Sequence, residues 1–233
     1  SQPVRATSER PFLYIVKMGR YSASDDSLFS IVSKGLCACF QIPVKVLAPL
    51  PDTVMRTLQS RENGQWDANF IIQQVLPRRI PKNAVALIAL CSRDLYPGND
   101  WNYVFGLASL KNRTGVWSFY RMGNPDCESG KLMLTAKRTL HVALHETGHM
   151  IGIRHCVSFE CLMNGSNSID ELDRQVGWFC HDCLKKLCWN RKLLPERHIQ
   201  AMHNFYSNYL PDITLLNYYS QAIELLNESS TYQ

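Results

Sequence analysis

The hydrophobic positions in the first part of the chain form two kinds of pattern. Short continuous runs, rich in β-branched and aromatic residues, predict buried β-strands at 12–16, 44–47 and 84–90. Between them, residues 27–40 carry apolar side chains at helical spacing, and Pro43 ends that segment. Asp67 is a candidate cap for a second helix over 68–76. This alternation predicts a parallel sheet, and the wholly apolar run 84–90 predicts its central strand.

The pattern changes after residue 100. Two further apolar runs, 104–110 and 115–120, are separated only by the short link 111–114. So short a link permits only an antiparallel hairpin, because parallel strands need a long crossover connection. One strand of this hairpin is therefore predicted to form a sheet edge, and the sheet as a whole is predicted to be mixed.

The second half of the sequence is predicted to be mainly helical. An apolar stretch from Leu132 leads into a long helix, whose sheet-facing side is predicted to consist of Leu140, Ala143, Leu144, Thr147 and Ile151. A short helix is predicted to begin near Glu171 with Asp170 as its cap, and further helices at 184–188, 195–209 and 212–226. Polar or turn-rich loops are predicted at 123–131 and 164–168.

A group of histidines in the long helix carries the strongest chemical signal. Residues 145–149 have the sequence H-E-T-G-H, and Gly152 and His155 complete the pattern H-E-x-x-H-x-x-G-x-x-H. Residues four apart lie about 6 Å apart along one helix face, so His145 and His149 can bind one metal ion together. Zinc is the natural metal for a site of three histidines with an open position.

The other positions of this pattern have separate roles. Glu146 lies about 100° around the helix from His145, where it is poorly placed as a ligand and well placed to take a proton from a water at the metal. His155 must return to the same ion, so the helix has to end near Gly152, which tolerates the positive φ of a helix C-cap. A bare H-E-x-x-H also occurs by chance, whereas the full pattern with a methionine turn is the metzincin signature.

Two nearby residues have competing interpretations. Met163 is the candidate for the methionine turn, where its thioether would form an apolar floor beneath the histidines, and an ordinary core methionine is the alternative. His141 lies four residues before His145 and could be a further ligand. Since three histidines already suffice, a role beside the ligands or at the surface is predicted for it.

Four cysteines predict a second metal site. Cys156 and Cys161 form one local pair and Cys180 and Cys183 another, which is the spacing of a tetrahedral structural zinc. Adjacent side chains in an extended segment point in opposite directions, so His155 and Cys156 can serve two different zinc ions. Disulfide bonding of these cysteines is the alternative.

On these residues, the run from His145 to Cys183 resembles the archaemetzincin (archaelysin) family of zinc metallopeptidases. That family combines the metzincin helix with a four-cysteine zinc module that contains a Cys-x-Met step, here Cys161-Leu162-Met163. The similarity extends upstream to D-L-Y-P at 94–97 and W-N-Y-V-F-G at 101–106. It covers roughly 90–185 well and is weaker towards both ends of the chain.

The resemblance implies an α/β fold with an α+β-like mixed sheet. The expected architecture is a twisted, metzincin-like mixed sheet with a backing helix and an active-site helix, plus a smaller helical C-terminal subdomain with the four-cysteine zinc site. By the same resemblance, strand 104–110 is the edge strand that lines the cleft and pairs with extended substrate. An edge strand without that role is the alternative.

Composition indicates a globular chain that works where thiols stay reduced. The 233 residues are 45% hydrophobic, no run approaches the ~20 apolar residues of a membrane span, and the N-terminus lacks the pattern of a signal peptide. Beyond the four zinc ligands, no regular disulfide framework is formed by the remaining cysteines, Cys37, Cys39, Cys91, Cys127 and Cys188. Cytoplasmic localisation is therefore expected, with the nucleus as an alternative.

Charge adds little to this picture. The net charge of +5 is modest, and the basic stretch 185–197 lacks aromatic interleaving or a recognisable nucleic-acid module. It is interpreted as a solvated helix face. Neither a nucleic-acid partner nor a membrane partner is expected, and the chain is expected to be a monomer.

The sequence thus predicts a zinc-dependent metallopeptidase with two Zn²⁺ ions per chain and a peptide or protein substrate. It is expected to form a single catalytic domain, 1–233, with subdomains 1–152 and 153–233. A catalytically idle, zinc-built module that binds a peptide or protein is the first alternative, although such a site would not need Glu146. A nucleic-acid-binding zinc knuckle fused to an inert domain is the second, and steep salt dependence of binding would identify it.

Overall fold

A five-stranded mixed sheet lies at the centre of the computed structural model, which describes residues 3–98, 101–123 and 131–231. Its strands are β1 (Phe12–Met18), β2 (Val44–Leu47), β4 (Ala84–Cys91), β6 (Gly106–Ser109) and β7 (Thr114–Ser118). A separate two-stranded sheet, which the sequence analysis did not predict, pairs β3 (Trp66–Asp67) with β5 (Leu95–Tyr96).

The strand order of the main sheet is β2-β1-β4-β7-β6. The first four strands are parallel, and β6 pairs antiparallel with β7, so that Gly106 lies opposite Trp117. The predicted parallel core, antiparallel hairpin and edge position of the first hairpin strand are all confirmed. Every residue of β4 is buried, as expected for a central strand covered on both faces.

Helices cover both faces of this sheet. They are α1 (Ala23–Phe40), α2 (Asp52–Met55), α3 (Ala68–Phe70), α4 (Lys131–Met150), α5 (Ile169–Arg174), α6 (His181–Arg191), α7 (Pro195–Asn208) and α8 (Ile213–Thr231). Side chains such as Ile15 and Ile88 face the larger core with α1, α4, α7 and α8. Their neighbours Val16 and Leu87 face a smaller core beneath the helical segment 68–78.

Local capping decides where several helices begin. Ser22 and Asp25 form a capping box, in which each side chain accepts the backbone N–H of the other, so α1 starts earlier than the predicted residue 27. Asp67 caps α3 as predicted, accepting from Phe70 N at 3.0 Å. This helix continues as a π-helical turn (Ile71–Val75) and a 3₁₀ turn (Leu76–Arg78).

The predicted cap of α5 is wrong. Ser168, not Asp170, is the cap, because its hydroxyl accepts from Glu171 N at 3.2 Å while the Glu171 carboxylate accepts from Asn167 N at 2.7 Å. Both Asp170 and Glu171 therefore lie inside the first turn, where their negative charge is favourable.

The helices that follow occur in the predicted order, but several begin or end at other residues than predicted. Helix α6 extends beyond the predicted 184–188 in both directions, and Pro195 opens α7 as predicted. Helix α8 runs past the predicted residue 226. Most of the loop predicted at 123–131, including Cys127, lies outside the described residues. Along the described chain, no helix is long and apolar enough to cross a membrane.

The C-terminal helices pack on α1 through buried polar contacts. The ring of His198 donates from Nδ1 to Cys39 O at 2.9 Å, and Arg191 Nε donates to Phe40 O at 2.8 Å. These contacts join the two halves of the chain. The division into subdomains 1–152 and 153–233 stays a prediction.

We expect the His198→Asn variant to lose less stability than the parent protein when the pH is lowered. Burial lowers the pKa of His198 in the folded protein to about 4, and its hydrogen bond to Cys39 opposes this only in part. An unfolded histidine has a pKa near 6.5, so between this pH and about 4 only the unfolded state takes up a proton at residue 198. The free energy of unfolding therefore falls by about 1.4 kcal/mol for each pH unit in this range. Asparagine keeps the donor but does not titrate.

Chemical denaturation at several pH values between 7 and 4 measures this difference. The other titrating groups are common to both proteins, so the parent should lose more stability than the variant over this range. Equal slopes for the two proteins would contradict the assignment.

Candidate active site

Helix α4 holds the first two histidines of the motif on a rigid element. Four of the predicted sheet-facing residues, Leu140, Ala143, Leu144 and Thr147, are buried in this helix, and Ile151 is buried just beyond it. Burial of the predicted face is therefore confirmed, and its Leu140 packs against Gly35 of α1. Because that face is fixed in the core, His145 and His149 lie together on another side of the helix.

The structure brings the three predicted histidines together. One ring nitrogen from each of His145, His149 and His155 lies within 4.8 Å of the other two. The ring centroids are 4.6 Å apart for His145 and His149, and 5.2 and 4.8 Å from these to His155. Three imidazoles at such distances are arranged as ligands of a single ion.

Backbone carbonyls fix the orientation of two of these rings. His145 Nδ1 lies 2.9 Å from Leu162 O, and His149 Nδ1 lies 2.7 Å from Ile153 O. A carbonyl oxygen can only accept, so Nδ1 must carry the proton in both rings. Nε2 is then left with a free lone pair, which is the form that binds a metal.

The helix ends where the motif requires. Gly152 has φ of +95°, a left-handed conformation that strains any other residue. Its N–H bonds His149 O at 3.0 Å, and Ile153 N bonds Gly148 O at 3.0 Å, which is a typical closure of a helix C-terminus. The predicted turn at Gly152 is confirmed, and it returns the chain so that His155 joins the other two histidines.

The Met163 side chain packs against α4 at Gly148, a residue that lies between His145 and His149 in the sequence. Its side chain is fully buried, and a Cβ added to Gly148 would approach Met163 Sδ to 2.6 Å. The thioether of Met163 thus occupies the space that a side chain at position 148 would need, and its role as a floor beneath the histidines stays a prediction.

Gly148→Ala is expected to lower the free energy of unfolding by about 1–3 kcal/mol, since the added methyl overlaps the Met163 sulfur in a packed core. Thermal unfolding of the variant beside the parent measures the effect. In the double variant with Met163→Ala, space is available for the new methyl group, so the two losses should be less than additive. Strict additivity would show that the two side chains do not compete for this space.

Glu146 lies between the histidines and the edge strand. A Cβ added to Gly106 of β6 would lie 3.3 Å from Glu146 Cγ and 2.7 Å from the Trp117 ring, so the strand passes the glutamate closely only because it has glycine there. Burial raises the pKa of Glu146 to about 7. A carboxyl group with such a pKa can both accept and release a proton near neutral pH.

His145, Glu146 and His155 line a cleft of about 550 Å³. One wall is the segment from Trp101 to Gly106, and the other includes residues 165–167 of the loop after Met163. Tyr103 ties the walls together, because its hydroxyl donates to Asn167 O at 3.1 Å.

Tyr103 is held in turn by Arg121, which Asp94 positions. Asp94 is buried and accepts two hydrogen bonds from Arg121, at 2.9 and 2.6 Å. The Arg121 guanidinium lies 3.8 Å from the centre of the Tyr103 ring. The family-like residue Asp94 therefore supports the rim of the cleft and is not part of its surface.

The four predicted cysteines form a separate group. Their sulfur atoms lie within 4.8 Å of one another, and Cys156 Sγ is 3.8 Å from Cys180 Sγ. That separation is far longer than a disulfide bond, and these cysteines are free, so the disulfide alternative is not realised. His155 lies with the histidines and Cys156 with the cysteines, as the alternation of adjacent side chains predicted.

Known proteins are similar to this chain over the region that contains the histidine and cysteine groups. The sequence model of "Peptidase family M54" matches residues 78–189. The archaemetzincin of Pyrococcus horikoshii is 31% identical over 171 residues, which is 71% of this chain and 86% of that protein. The chain belongs to the archaemetzincin family.

Two further relatives define the extent of the similarity. Archaemetzincin-2 of Homo sapiens is 32% identical over 185 residues, covering 66% of this chain and 51% of that protein, so the chain spans about half the length of this relative. The crystal structure of archaemetzincin from Methanopyrus kandleri matches with a TM-score of 0.63 and 28% identity, over 79% of this chain and 97% of that one. The mixed α/β fold of the family is therefore present.

Both groups have the donor atoms that zinc prefers. The histidine group offers three imidazole nitrogens beside an open cleft, and the cysteine group offers four sulfurs in one cluster. Cys161 Sγ also accepts N–H bonds from Met163 and Cys180, at 3.4 and 3.2 Å. Burial raises the pKa of Cys161 to about 11 and also raises that of Cys183, and a bound cation would favour the thiolate form of both.

The groups that orient these ligands in the archaemetzincin fold were not predicted from the side-chain pattern. The carbonyls of Leu162 and Ile153 have no signature in the side-chain pattern. Asn164 was assigned only to a turn, yet its side chain accepts from Cys161 N at 2.8 Å and donates to Cys156 O at 2.7 Å. An asparagine directly after the Cys-x-Met step was the available signal.

His141 is neither a surface residue nor a member of the histidine group. Its side chain is buried in α4, and the described histidines that gather are His145, His149 and His155. The surface alternative is wrong, and a place beside the ligands remains.

Proposed function

We propose that this chain is a zinc-dependent metallopeptidase that hydrolyses peptide bonds. The observation that carries the proposal is the group of three histidines, two with Nε2 left unprotonated, beside a cleft that a half-buried glutamate also lines. Membership of a peptidase family supports the same activity. A site that served only to hold the fold together would need neither the cleft nor the glutamate.

His145, His149 and His155 would hold the catalytic zinc. When bound, zinc supplies Lewis acidity, which makes water a stronger nucleophile near neutral pH and polarises the scissile carbonyl. The carbonyls of Leu162 and Ile153 keep the Nε2 atoms of the first two histidines available, so these rings do not have to change tautomer before binding.

Glu146 is the general base in this proposal. Its carboxylate takes a proton from the attacking water and then returns it to the nitrogen of the leaving amine. The position of the side chain supports this role, because Glu146 lines the cleft beside His145 and His155. Its burial favours the neutral form of the carboxyl once the proton has been taken, which suits a base that must also act as an acid.

Strand β6 is proposed to hold the substrate as an additional strand. It is the edge of the main sheet, and Gly106 of this strand lies in the cleft wall next to Glu146. Main-chain hydrogen bonds from such an edge bind any extended peptide, and the surrounding pockets select its side chains. The absence of a side chain at Gly106 lets the scissile bond approach the glutamate.

Cys156, Cys161, Cys180 and Cys183 would hold a second, structural zinc, giving two ions per chain. Leu162, Leu172 and Phe179 of the segment that carries them are buried in the main core, and metal binding would add directly to the folding free energy of this segment. We further propose that the protein is a monomer. We also propose that it works in a reducing compartment, such as the cytoplasm, because the cysteines in the described part of the chain are free thiols.

A diverse peptide library, incubated with the zinc-loaded protein and separately with its Glu146→Ala form, tests the activity. Mass spectrometry of the products should show cleavage by the parent alone, and the cleavage sites also give the preferences around the scissile bond. If neither protein cleaves although two zinc ions per chain are bound, the chain is the catalytically idle binding module.

A further inference from the structure

A second cavity lies at the point where the edge strand β6 ends. It has a volume of about 690 Å³, and its walls come from the N-terminal segment 3–10 and from residues 110–113, the turn between β6 and β7. None of its lining residues lines the catalytic cleft, yet β6 connects the two, because Gly106 lies in the cleft wall and Leu110 in the wall of the second cavity. An extended peptide on this strand would therefore pass from one cavity towards the other.

The N-terminal wall of this second cavity is fixed to the end of the active-site helix. Val4 N donates to Met150 O at 2.8 Å. A Cβ added to Gly152 would lie only 2.6 Å from Pro3 Cγ, so the two segments are in close contact. The end of α4 therefore contacts one wall of the second cavity, and the end of β6 leads into the other. These are two of the elements that also bound the catalytic cleft.

Four cations line this second cavity, which is called the basic cavity below, and no acidic residue lines it. They are Arg5, Arg10, Lys111 and Arg113. None of them forms an ion pair within the described part of the chain, and the neighbouring acidic residue Glu9 is exposed and does not line the cavity. Like charges gathered without a carboxylate repel one another, so the basic cavity indicates a site for an anion that arrives from outside.

Two of the guanidinium groups in the basic cavity lie close together. The Arg113 side chain donates to the carbonyls of Ala84 and Val85, which anchors it at the start of β4. Burial lowers the pKa of Arg113, and the positive charge of Arg10 lowers it further, so a carboxylate beside this pair would replace repulsion with attraction. The side chains of Arg10 and Lys111 make no hydrogen bond with a described residue, so their donors are free for a ligand.

We propose that the basic cavity binds the carboxylate of an aspartate or glutamate side chain of the substrate, about four residues from the cleaved bond. The inference rests on the proposed peptidase function and on the proposed pairing of substrate with β6. In an added strand, each peptide residue lies opposite one residue of β6, with a rise of about 3.4 Å per residue. With the scissile bond beside Gly106, a peptide residue opposite Leu110 is therefore roughly 13 Å away.

The chemistry of the basic cavity suits a peptide carboxylate. A guanidinium group can donate two parallel hydrogen bonds to one carboxylate. A single-stranded nucleic acid, which is another polyanion, is less favoured, since no aromatic residue lines the cavity for its bases to stack on. An added strand can run in either direction along β6, so peptides with the acidic residue before or after the cleaved bond identify the direction.

Matched peptides that differ in one charge test this site. In a sequence that the library shows to be cleaved, Glu or its uncharged match Gln is placed at each position from roughly three to five residues before and after the scissile bond. At one of these positions the parent should cleave the Glu peptide with a kcat/KM about 5-fold or more above that of the Gln peptide at low ionic strength. The difference should lie in KM and leave kcat unchanged, because the contact is far from the reacting atoms, and added salt should reduce it.

Variants of the basic cavity show whether its cations cause the preference. Arg10→Gln and Lys111→Gln should each bring the ratio of Glu to Gln cleavage towards one, and Lys111→Glu should instead favour lysine at the same peptide position. Lys186→Gln is the matched control, because it removes the same charge from an exposed position on α6 outside the cavity, and it should leave the ratio as it is.

A binding measurement separates failure of this inference from failure of the proposed function. Labelled peptides in which one Glu or one Gln is moved along an otherwise uncharged sequence are titrated with the zinc-loaded Glu146→Gln protein, and fluorescence anisotropy gives their dissociation constants. Tighter binding of a Glu peptide that the added change Lys111→Gln abolishes would support the inference even if the parent cleaves nothing, in which case the peptidase proposal fails alone.

The inference would be overturned by cleavage without a preference for Glu at any position, by a preference that both Arg10→Gln and Lys111→Gln leave unchanged, or by no binding of any peptide. Binding of a single-stranded oligonucleotide that Lys111→Gln weakens, without any preference for Glu peptides, would assign the basic cavity to nucleic acid and would overturn it as well.

Discussion

Replacing Glu146 with glutamine is expected to lower kcat/KM for peptide cleavage by about 100- to 10 000-fold, the usual contribution of a positioned general base. The amide has nearly the same shape as the carboxyl group, so it fits the space beside Gly106. It cannot accept the proton of the attacking water. Steady-state kinetics with a peptide that the parent cleaves measures the loss.

The zinc content and melting temperature of Glu146→Gln should equal those of the parent, since the side chain is not among the proposed ligands. Glu224→Gln, an exposed change of the same chemistry on α8, is the matched control and should retain full activity. If Glu146→Gln cleaved peptides at a rate close to that of the parent, the assignment of the base would be wrong.

Cys180→Ser is expected to remove one zinc ion per chain and to lower the free energy of unfolding by about 4 kcal/mol or more, because loss of a structural metal is among the largest single-residue effects. Cys180 is buried at the start of α6, and its N–H donates to Cys161 Sγ at 3.2 Å. A serine hydroxyl is a poor substitute for a thiolate at zinc. Metal analysis and thermal unfolding of the same samples measure both effects.

Cys37→Ser is the matched control, since this thiol is exposed on α1 and lies outside the cluster. It should have the zinc content and melting temperature of the parent. A Cys180→Ser protein with two zinc ions and an unchanged melting temperature would show that the four sulfurs do not hold a structural metal.

The parts of the molecule that follow local rules were predictable from the sequence. Strand β4 was recognisable as central because every residue in the run from Ala84 is apolar, and a strand covered on both faces needs no polar side. The histidine group was predictable because helical spacing alone places His145 and His149 together, and a glycine at 152 permits the turn towards His155.

Choices between similar local signals were not predictable in the same way. Ser168 and Asp170 are both good helix caps, and Ser168 is selected because Glu171 completes the reciprocal pair with the preceding backbone. The capping box of Ser22 and Asp25 was present in the sequence but lies ahead of the apolar residues by which the start of α1 was judged. Such errors move the end of an element without changing the fold.

Contacts between distant segments were beyond the reach of the sequence pattern. The link from Asp94 through Arg121 and Tyr103 to Asn167 joins four separate segments, and no periodicity relates them. The same holds for His141 and Gln175, which share a cleft wall only because α5 packs beside α4. These long-range contacts determine which side chains a substrate meets.

Peptide hydrolysis in water enriched in ¹⁸O tests the central claim most directly. One peptide chosen from the library is incubated with the zinc-loaded parent and with Glu146→Ala, and the products are weighed by mass spectrometry. We predict that each new C-terminal carboxylate made by the parent carries one ¹⁸O atom and that Glu146→Ala makes almost no product. Intact peptide after incubation with a parent that holds two zinc ions, or equal product from the two proteins, would contradict the proposed activity or the role of Glu146, respectively.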